Sequence, residues 1–268
     1  MTTRDRGFAL LIVLWTLVLA ALIATQVTAS GRGAVQAATN LRRAAELEAI
    51  ADGAVHEAMF RMLDRTAAGW RADGRMRILS RPPSEVTVLL EDQAGKINPN
   101  LASPELLAAL LRGLGADSQS ARSIAAAIAD WRFRGDMARP FGAKAPEYRQ
   151  AGRSYGPTEA PFESLGELSL VLGMTPALLE KMVPHLSLFH DGDTEGWLAG
   201  PVVRQALRAV FGAQEFTAPS QTGPLVVAVT ATARGAEGRR LIRRAIVRIG
   251  DREADRPYRI LSWASGES

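Results

Sequence analysis

A long uncharged apolar run stands at the start of the chain, directly after a short basic segment. Arg4 and Arg6 precede the run, and no further charged residue occurs until Arg32. Its apolar core, residues 8 to about 24, lies near the lower limit of the roughly 17–25 residues that span a hydrocarbon layer. The pattern therefore predicts a helix that lies in a membrane.

Helical spacing continues beyond this run. Residues 34–63 contain no proline, and their apolar positions recur at intervals of three and four. The predicted stripe, apolar apart from one aspartate, consists of Leu41, Ala45, Ala49, Asp52, Val55, Met59 and Leu63. Joined to the apolar run, this stretch predicts a single helix of about fifty residues.

Segments with alternating and β-branched residues predict strands at two places far apart in the chain. Residues 75–79 and 85–90 form the first pair, separated by a turn. Three further strands are predicted at residues 224–233, 241–249 and 258–263. Because the residues between the two groups have a mostly helical pattern, we expect a helical domain inserted between strands of one sheet region.

Three interpretations of the N-terminal segment are open. An ordinary secretory signal has the same basic and apolar regions, with Val27-Thr28-Ala29 as its cleavage site. An uncleaved anchor is the second, although arginines on both sides of the run set no clear orientation. The third is a leader cleaved on the cytoplasmic side between Gly7 and Phe8, which leaves the apolar helix on the mature protein.

The third interpretation is favoured by a resemblance. Arg6-Gly7-Phe8 followed by Ala-Leu-Leu-Ile-Val-Leu-Trp resembles the class III signal of pilins and pseudopilins, which implies cleavage by a prepilin peptidase and methylation of the new N-terminus. Most of these proteins carry Glu at the fifth mature position, where this chain has Ile12. That absence is typical of general secretion pathway protein K, the tip subunit of the type II secretion pseudopilus.

A second stretch is similar to the same family. Residues 95–103, Gly-Lys-Ile-Asn-Pro-Asn-Leu-Ala-Ser, and the later Asp130-Trp131 pair resemble the start of that family's helical domain. Chemistry alone also marks Ser103-Pro104-Glu105 as a helix start, since it offers a capping hydroxyl, a proline and a carboxylate in the first turn.

The resemblance implies an α+β fold, in which a pilin-like long N-terminal helix packs on a small antiparallel sheet and carries a large inserted all-α domain. The expected parts are a leader at 1–7, a transmembrane and stalk helix at 8–63, a pilin-like β region at 64–94 and 216–268, and an inserted helical domain at 95–215.

The implied function is assembly rather than catalysis. A minor pseudopilin of this family initiates or caps the pseudopilus for protein export across the outer membrane. The expected partners are other minor pseudopilins, the secretion platform and prepilin peptidase. The chain is expected to cross the inner membrane once, with its C-terminal head in the periplasm.

The insert also supports an alternative of another class. Its Gly113-Leu114-Gly115 turn resembles helix-hairpin-helix modules, whose backbone N–H groups bind a DNA phosphate. Around this turn, Arg112 and Arg122 are accompanied by Glu105 and Asp117, and the net charge of the chain is only +4. We expect no nucleic-acid partner and keep a membrane-anchored DNA-binding protein as the alternative.

No catalytic set stands out, and the chain has no cysteine. His56-Glu57 opens like a zinc-protease motif, but Phe60 stands where the second histidine belongs. Residues 152–156, Gly-Arg-Ser-Tyr-Gly, match a nucleophile elbow in letters but lack the apolar strand before it. The sequence predicts that the protein is not an enzyme.

Calcium is the one cofactor that the sequence suggests. Asp130, Asp136, Glu147 and Glu159 are the predicted ligands, because calcium prefers several carboxylate and carbonyl oxygens around one loop. Where the resembling family places further acids after the Asp-Trp pair, residues 132–134 of this chain are Arg-Phe-Arg, which puts a site of the family's type in doubt.

Overall fold

The structure is a computed structural model of the 268-residue chain. It describes residues 3–82, 84–212, 225–235, 238–250 and 257–266, and within these ranges it leaves out the side chains of 3–10, 27–32 and 81.

The described residues form α-helices and β-strands, as the sequence predicted. The helices are α1 Thr3–Leu63, α2 Pro104–Gly113, α3 Ser118–Arg132, α4 Ala145–Gln150, α5 Pro176–Met182 and α6 Pro201–Phe211. The strands are β1 Asp73–Arg81, β2 Ser84–Asp92, β3 Leu225–Arg234, β4 Arg240–Ile249 and β5 Tyr258–Gly266.

The five strands form one antiparallel sheet in the order β1-β2-β3-β4-β5. β2 pairs directly with β3, from Glu85 opposite Arg234 to Asp92 opposite Val227. Helices α2 to α6 lie between these two strands in the sequence, so the chain leaves the sheet after β2 and returns to the neighbouring position. The mixed architecture of helices and antiparallel sheet that the sequence predicted is confirmed.

The C-terminal half of α1 packs on one face of this sheet. Its buried side chains are Leu47, Ala51, Ala54, Val55, Ala58 and Met59, and they contact valines and alanines of β2, β3 and β4. Within the predicted stripe, Val55 and Met59 are buried as expected, whereas Leu41, Ala45 and Ala49 are exposed. Alanines occur around the whole helix, so spacing alone did not identify the buried side.

A second core lies in the helical region between β2 and β3. Helices α2, α3 and α6 enclose Leu107, Leu110, Ile128 and Leu207, among other apolar side chains. Phe189 of this region packs against a small cluster on the sheet that contains Val226, Ala228 and Ile246. The helical region therefore touches the sheet as well as forming its own core.

Across the residues that the structure describes, we find no helix with both the length and the hydropathy that a membrane crossing requires. The predicted span begins at Phe8, whose side chain is outside the described part, and it stays a prediction.

Candidate functional site

The apolar part of α1 is exposed on all sides. Between residues 11 and 23 its exposed large apolar side chains are Leu11, Ile12, Val13, Leu14, Trp15, Leu17, Val18, Leu19, Leu22 and Ile23. A helix that is apolar all round is normally buried in a protein core or in a bilayer. The predicted processing residues Gly7 and Phe8 fall in the first turns of α1, and their side chains lie outside the described residues.

The segment from Gly95 to Asn100 contacts two later parts of the helical region. One is the chain around Leu186, and the other is the loop before α6. Ile97 pairs with Leu186 in an isolated parallel bridge. Buried Asn98 donates from Nδ2 to the His190 carbonyl at 2.8 Å. A Cβ on Gly95 would lie 2.5 Å from the carbonyl oxygen of Leu198, so only glycine fits this approach. The motif on which the family resemblance rested therefore has a structural role, because its residues hold distant parts of the chain together.

Asn100, at the end of the same segment, binds the backbone of Phe162. Its side-chain amide donates to the Phe162 carbonyl at 3.0 Å and accepts from the Phe162 N–H at 2.8 Å. The Phe162 ring stacks on Trp131, with ring centroids 6.0 Å apart and planes 7° apart. Tyr148 lies against the same indole, and burial raises the pKa of its phenol to about 12. Trp131 of the Asp-Trp pair is thus buried in the core of the helical region.

Three of the four residues predicted as calcium ligands, Asp130, Glu147 and Glu159, contact Lys144, a residue that the sequence analysis did not single out. Lys144 is buried, and its Nζ donates to the Asp130 carbonyl at 2.9 Å and lies 3.4 Å from Glu159 Oε1. It also donates to the Phe133 carbonyl. Glu147 Oε2 accepts the Lys144 backbone N–H at 2.7 Å.

The buried carboxylate of Asp130 contacts Arg139, whereas its backbone carbonyl contacts Lys144. Its Oδ2 accepts the Arg139 backbone N–H at 3.0 Å, and its Oδ1 lies 3.5 Å from Arg139 Nε. Asp136, the remaining predicted ligand, is exposed. Throughout the described ranges, no three His, Cys, Asp or Glu side chains form a group that could hold a metal ion. The calcium site stays a prediction.

An ionic cluster that sequence reasoning missed ties α1 to the sheet. The guanidinium of Arg243 on β4, with a side chain only 5% exposed, pairs with Glu48 and Asp52 of α1. It also donates to Ser265 and lies over the Trp263 ring at 5.6 Å, both on β5. The signal in the sequence was a pair of acids four residues apart on α1, of which Asp52 stands in the predicted stripe.

The two catalytic motifs considered in the sequence, at His56 and at residues 152–156, lack the surroundings that their chemistry requires. His56 lies on α1 beside the Trp263 ring, far along the chain from His185 and His190. Residues 152–156 follow α4 in turn and irregular backbone, without the strand and helix that flank a nucleophile elbow. Burial lowers the pKa of His190, so the neutral imidazole is favoured there.

The hairpin between α2 and α3 offers no open phosphate site at the start of α3. The carboxylate of Asp117 caps this helix and accepts the N–H groups of Gln119 and Ser120 at 2.9 and 3.0 Å. A hydrogen bond with the Ser120 side chain, together with these backbone hydrogen bonds, holds the pKa of Asp117 below its usual value. The carboxylate therefore occupies the donors that a DNA phosphate needs.

Residues 86–191 match the family model described as type II secretion system protein K. No curated protein matches the chain. Among solved structures, the chain is similar to one from the complex of GspK, GspI and GspJ of the enterotoxigenic Escherichia coli type 2 secretion system. The identity is 15%, the match covers 87% of this chain and 99% of that one, and the TM-score is 0.63. The likeness extends to the overall fold, and nothing in these matches supports DNA binding.

Proposed function

We propose that the chain, whose residues 86–191 match the family model of type II secretion system protein K, is the minor pseudopilin at the tip of the pseudopilus. There it would initiate or cap filament assembly for protein export across the outer membrane. One observation carries the proposal: the matched family domain starts in β2 and covers most of the helical region that separates β2 from β3.

We propose a pilin-like arrangement with an inserted all-α domain. In this description residues 8–63 form the membrane and stalk helix, 64–94 and 216–268 the β region, and 95–215 the insert. Two separate apolar clusters support the division, since one joins α1 to the sheet and the other lies among the helices between β2 and β3.

The proposed membrane anchor is the apolar start of α1. Its exposed apolar side chains on every side suit a lipid environment, and polar backbone groups within a helix are satisfied internally. A leader of residues 1–7 would be removed by prepilin peptidase between Gly7 and Phe8, followed by methylation of Phe8. The mature chain would then cross the inner membrane once and carry its head in the periplasm.

The proposed partners are other minor pseudopilins and the secretion platform. The related Escherichia coli structure holds GspK together with GspI and GspJ, and counterparts of the latter two are the natural neighbours. Val35, Leu41 and Phe60 are exposed apolar side chains of α1 on which neighbouring helices can pack. Within the bilayer, van der Waals packing of the spans would drive association. This work is assembly and needs no catalytic group.

The experiment that tests the proposal is the N-terminal sequence and intact mass of the chain purified from membranes of a host with a prepilin peptidase. We expect the wild-type chain to begin at methylated Phe8 and a Gly7→Val variant to keep its leader. Gly33→Val is the matched control, because a Cβ at Gly33 meets nothing within 4 Å, and it should be processed normally.

Other N-termini would contradict the proposal in distinct ways. A start near Ser30 would indicate an ordinary secretory signal. An intact Met1 would indicate a plain anchor, and a binding assay with DNA would then be required.

A further inference from the structure

We propose that the ammonium group of Lys144 is the built-in cation of the loop between α3 and α4, and that this loop binds no divalent metal ion. The proposal concerns the predicted calcium site itself. It does not depend on where in the pseudopilus the chain acts.

Lys144 has the contacts of a fully satisfied cation. Its side chain is only 5% exposed. Nζ lies 2.9 Å from the Asp130 carbonyl oxygen and 3.4 Å from Glu159 Oε1, and it also donates to the Phe133 carbonyl. An ammonium group has three N–H donors and no acceptor, so these three oxygens use its whole hydrogen-bonding capacity.

The same oxygens would be suitable calcium ligands if the ammonium were absent. Calcium takes roughly six to eight oxygens, including backbone carbonyls and carboxylates, at about 2.3–2.6 Å. Here the centre of the oxygens holds a nitrogen that already carries a positive charge. A metal ion entering this position would have to expel the ammonium from its buried place, because two cations a few ångströms apart repel strongly in a low-dielectric interior.

The acidic side chains that a metal ion would recruit are committed elsewhere. Both oxygens of the Asp130 carboxylate face Arg139, and Glu147 caps the first turn of α4 by accepting the Lys144 N–H. The carboxylates of Asp130 and Glu159 are thus matched by Arg139 and Lys144 respectively. Both of these carboxylates are paired with a cationic side chain of the protein itself.

Backbone strain around the loop shows that its shape is tightly determined. Phe141 and Glu159 are non-glycine residues in the left-handed region, with φ of 66° and 56°. A Cβ on Gly142 would lie 2.0 Å from Asp130 Oδ2, so the loop closes directly over that carboxylate. Such conformations persist only where surrounding contacts over-determine them, and the pairing of Lys144 with Glu159 is one of these contacts.

The first experiment is a calcium titration of the full wild-type chain in detergent, followed by thermal unfolding and by terbium luminescence excited through tryptophan. A ligand that binds the folded state raises the melting temperature. We expect the same melting temperature in millimolar calcium chloride and in EDTA, and no sensitised terbium emission. A calcium-dependent rise, or terbium emission that Asp130→Asn abolishes, would overturn the proposal.

The second experiment replaces the ammonium by an uncharged side chain of similar length. Lys144→Met should lower the melting temperature by roughly 5 °C or more, because two buried carbonyls and Glu159 lose their donor. Lys181→Met removes an exposed lysine of α5 and should leave the melting temperature unchanged. Equal stability of the two variants would refute the role of Lys144. If the Lys144→Met chain does not fold, the wild-type titration still decides the question.

Discussion

At the scale of single residues, Asp92 carries a carboxylate whose negative charge destabilises the folded state. It ends β2, and its Oδ1 accepts the Ala94 N–H at 3.0 Å as the chain enters the helical region. Burial raises the pKa of this carboxyl to about 6, the hydrogen bond from Ala94 acts in the opposite direction, and the nearby charge of Glu195 adds to the rise. The Asp92 carboxylate thus makes a stabilising hydrogen bond to the Ala94 N–H, whereas the partial burial of its charge is destabilising.

We predict that Asp92→Asn stabilises the protein at neutral pH. The folded-state pKa is about 6 against an ordinary value of 3.8, so the folded chain binds the proton more tightly. Stability from Asp92 is therefore present below pH 3.8 and is lost as the pH rises through 6. An uncharged amide can still cap the turn and avoids this loss, which we expect to be about 1 kcal/mol at pH 7 after allowance for solvent screening.

Urea unfolding of the two chains at pH 7 and near pH 4 checks this prediction. The difference in unfolding free energy should shrink toward zero at the lower pH. A variant that is destabilised equally at both values would show that the carboxylate acts only as a cap and that its charge is immaterial.

Residue-level chemistry was readable from the sequence where partners are close along the chain. Ser103 was predicted to cap a helix, and its Oγ accepts the Leu106 N–H at 3.2 Å. Lys144 was missed because its partners lie 11, 14 and 15 residues away, and their meeting depends on how the loop folds. The sequence identified the acids around this place but not the side chain that occupies it.

At the scale of elements, α1 has two environments along one helix. Its first part exposes apolar side chains on every side, and its second part packs on the sheet. The length of the helix was readable from the absence of proline and the helical spacing of apolar residues, whereas the buried face was not. The cluster of Arg243 with Glu48 and Asp52 helps to fix that face, and it joins residues that are 195 and 191 positions apart.

We predict that Arg243→Met loosens the contact between α1 and the sheet. The arginine side chain is 5% exposed while Glu48 is 52% exposed, so the acids left behind remain partly hydrated. The expected loss in unfolding free energy is about 2 kcal/mol, less than for a fully buried pair. Arg244→Met is the matched control, since Arg244 is the next residue of β4 and its side chain is exposed.

Chemical denaturation of both variants gives the comparison. The midpoint should fall for Arg243→Met and stay near wild type for Arg244→Met. Equal midpoints would mean that the ionic cluster contributes nothing beyond the apolar packing of α1.

At the scale of the whole molecule, the sheet combines two strands that precede the helical region in the sequence with three that follow it. The β-branched segments before and after the helical region were readable as strands because alternation is a local signal. Their order was not readable, since the pairing of β2 with β3 depends on where the helical region returns the chain. Where the chain leaves β2, Asn98 and Gly95 hold it against His190 and Leu198 of the loop before α6.

The proposed tip position leads to a prediction about Ile12, where most pseudopilins resembling this chain have Glu. The resemblance to pseudopilins implies that this carboxylate meets the amino terminus of the subunit ahead, and a tip subunit has none ahead. Ile12→Glu would then place an unpaired charge in the bilayer, at a cost of about 2.5–3.5 kcal/mol by insertion scales. We expect secretion of the exported protein into the medium to fall.

The neighbouring variant Val13→Glu makes this test specific to position, because Ile12 and Val13 are similarly exposed, at 50% and 54%. At the tip, both acids lack a partner and should reduce secretion and the amount of chain in the inner membrane alike, while Ile12→Leu remains active. If Ile12→Glu is tolerated and Val13→Glu is not, a subunit ahead must neutralise the carboxylate at position 12. The tip position would then be wrong, although the match of residues 86–191 to the family model would stand.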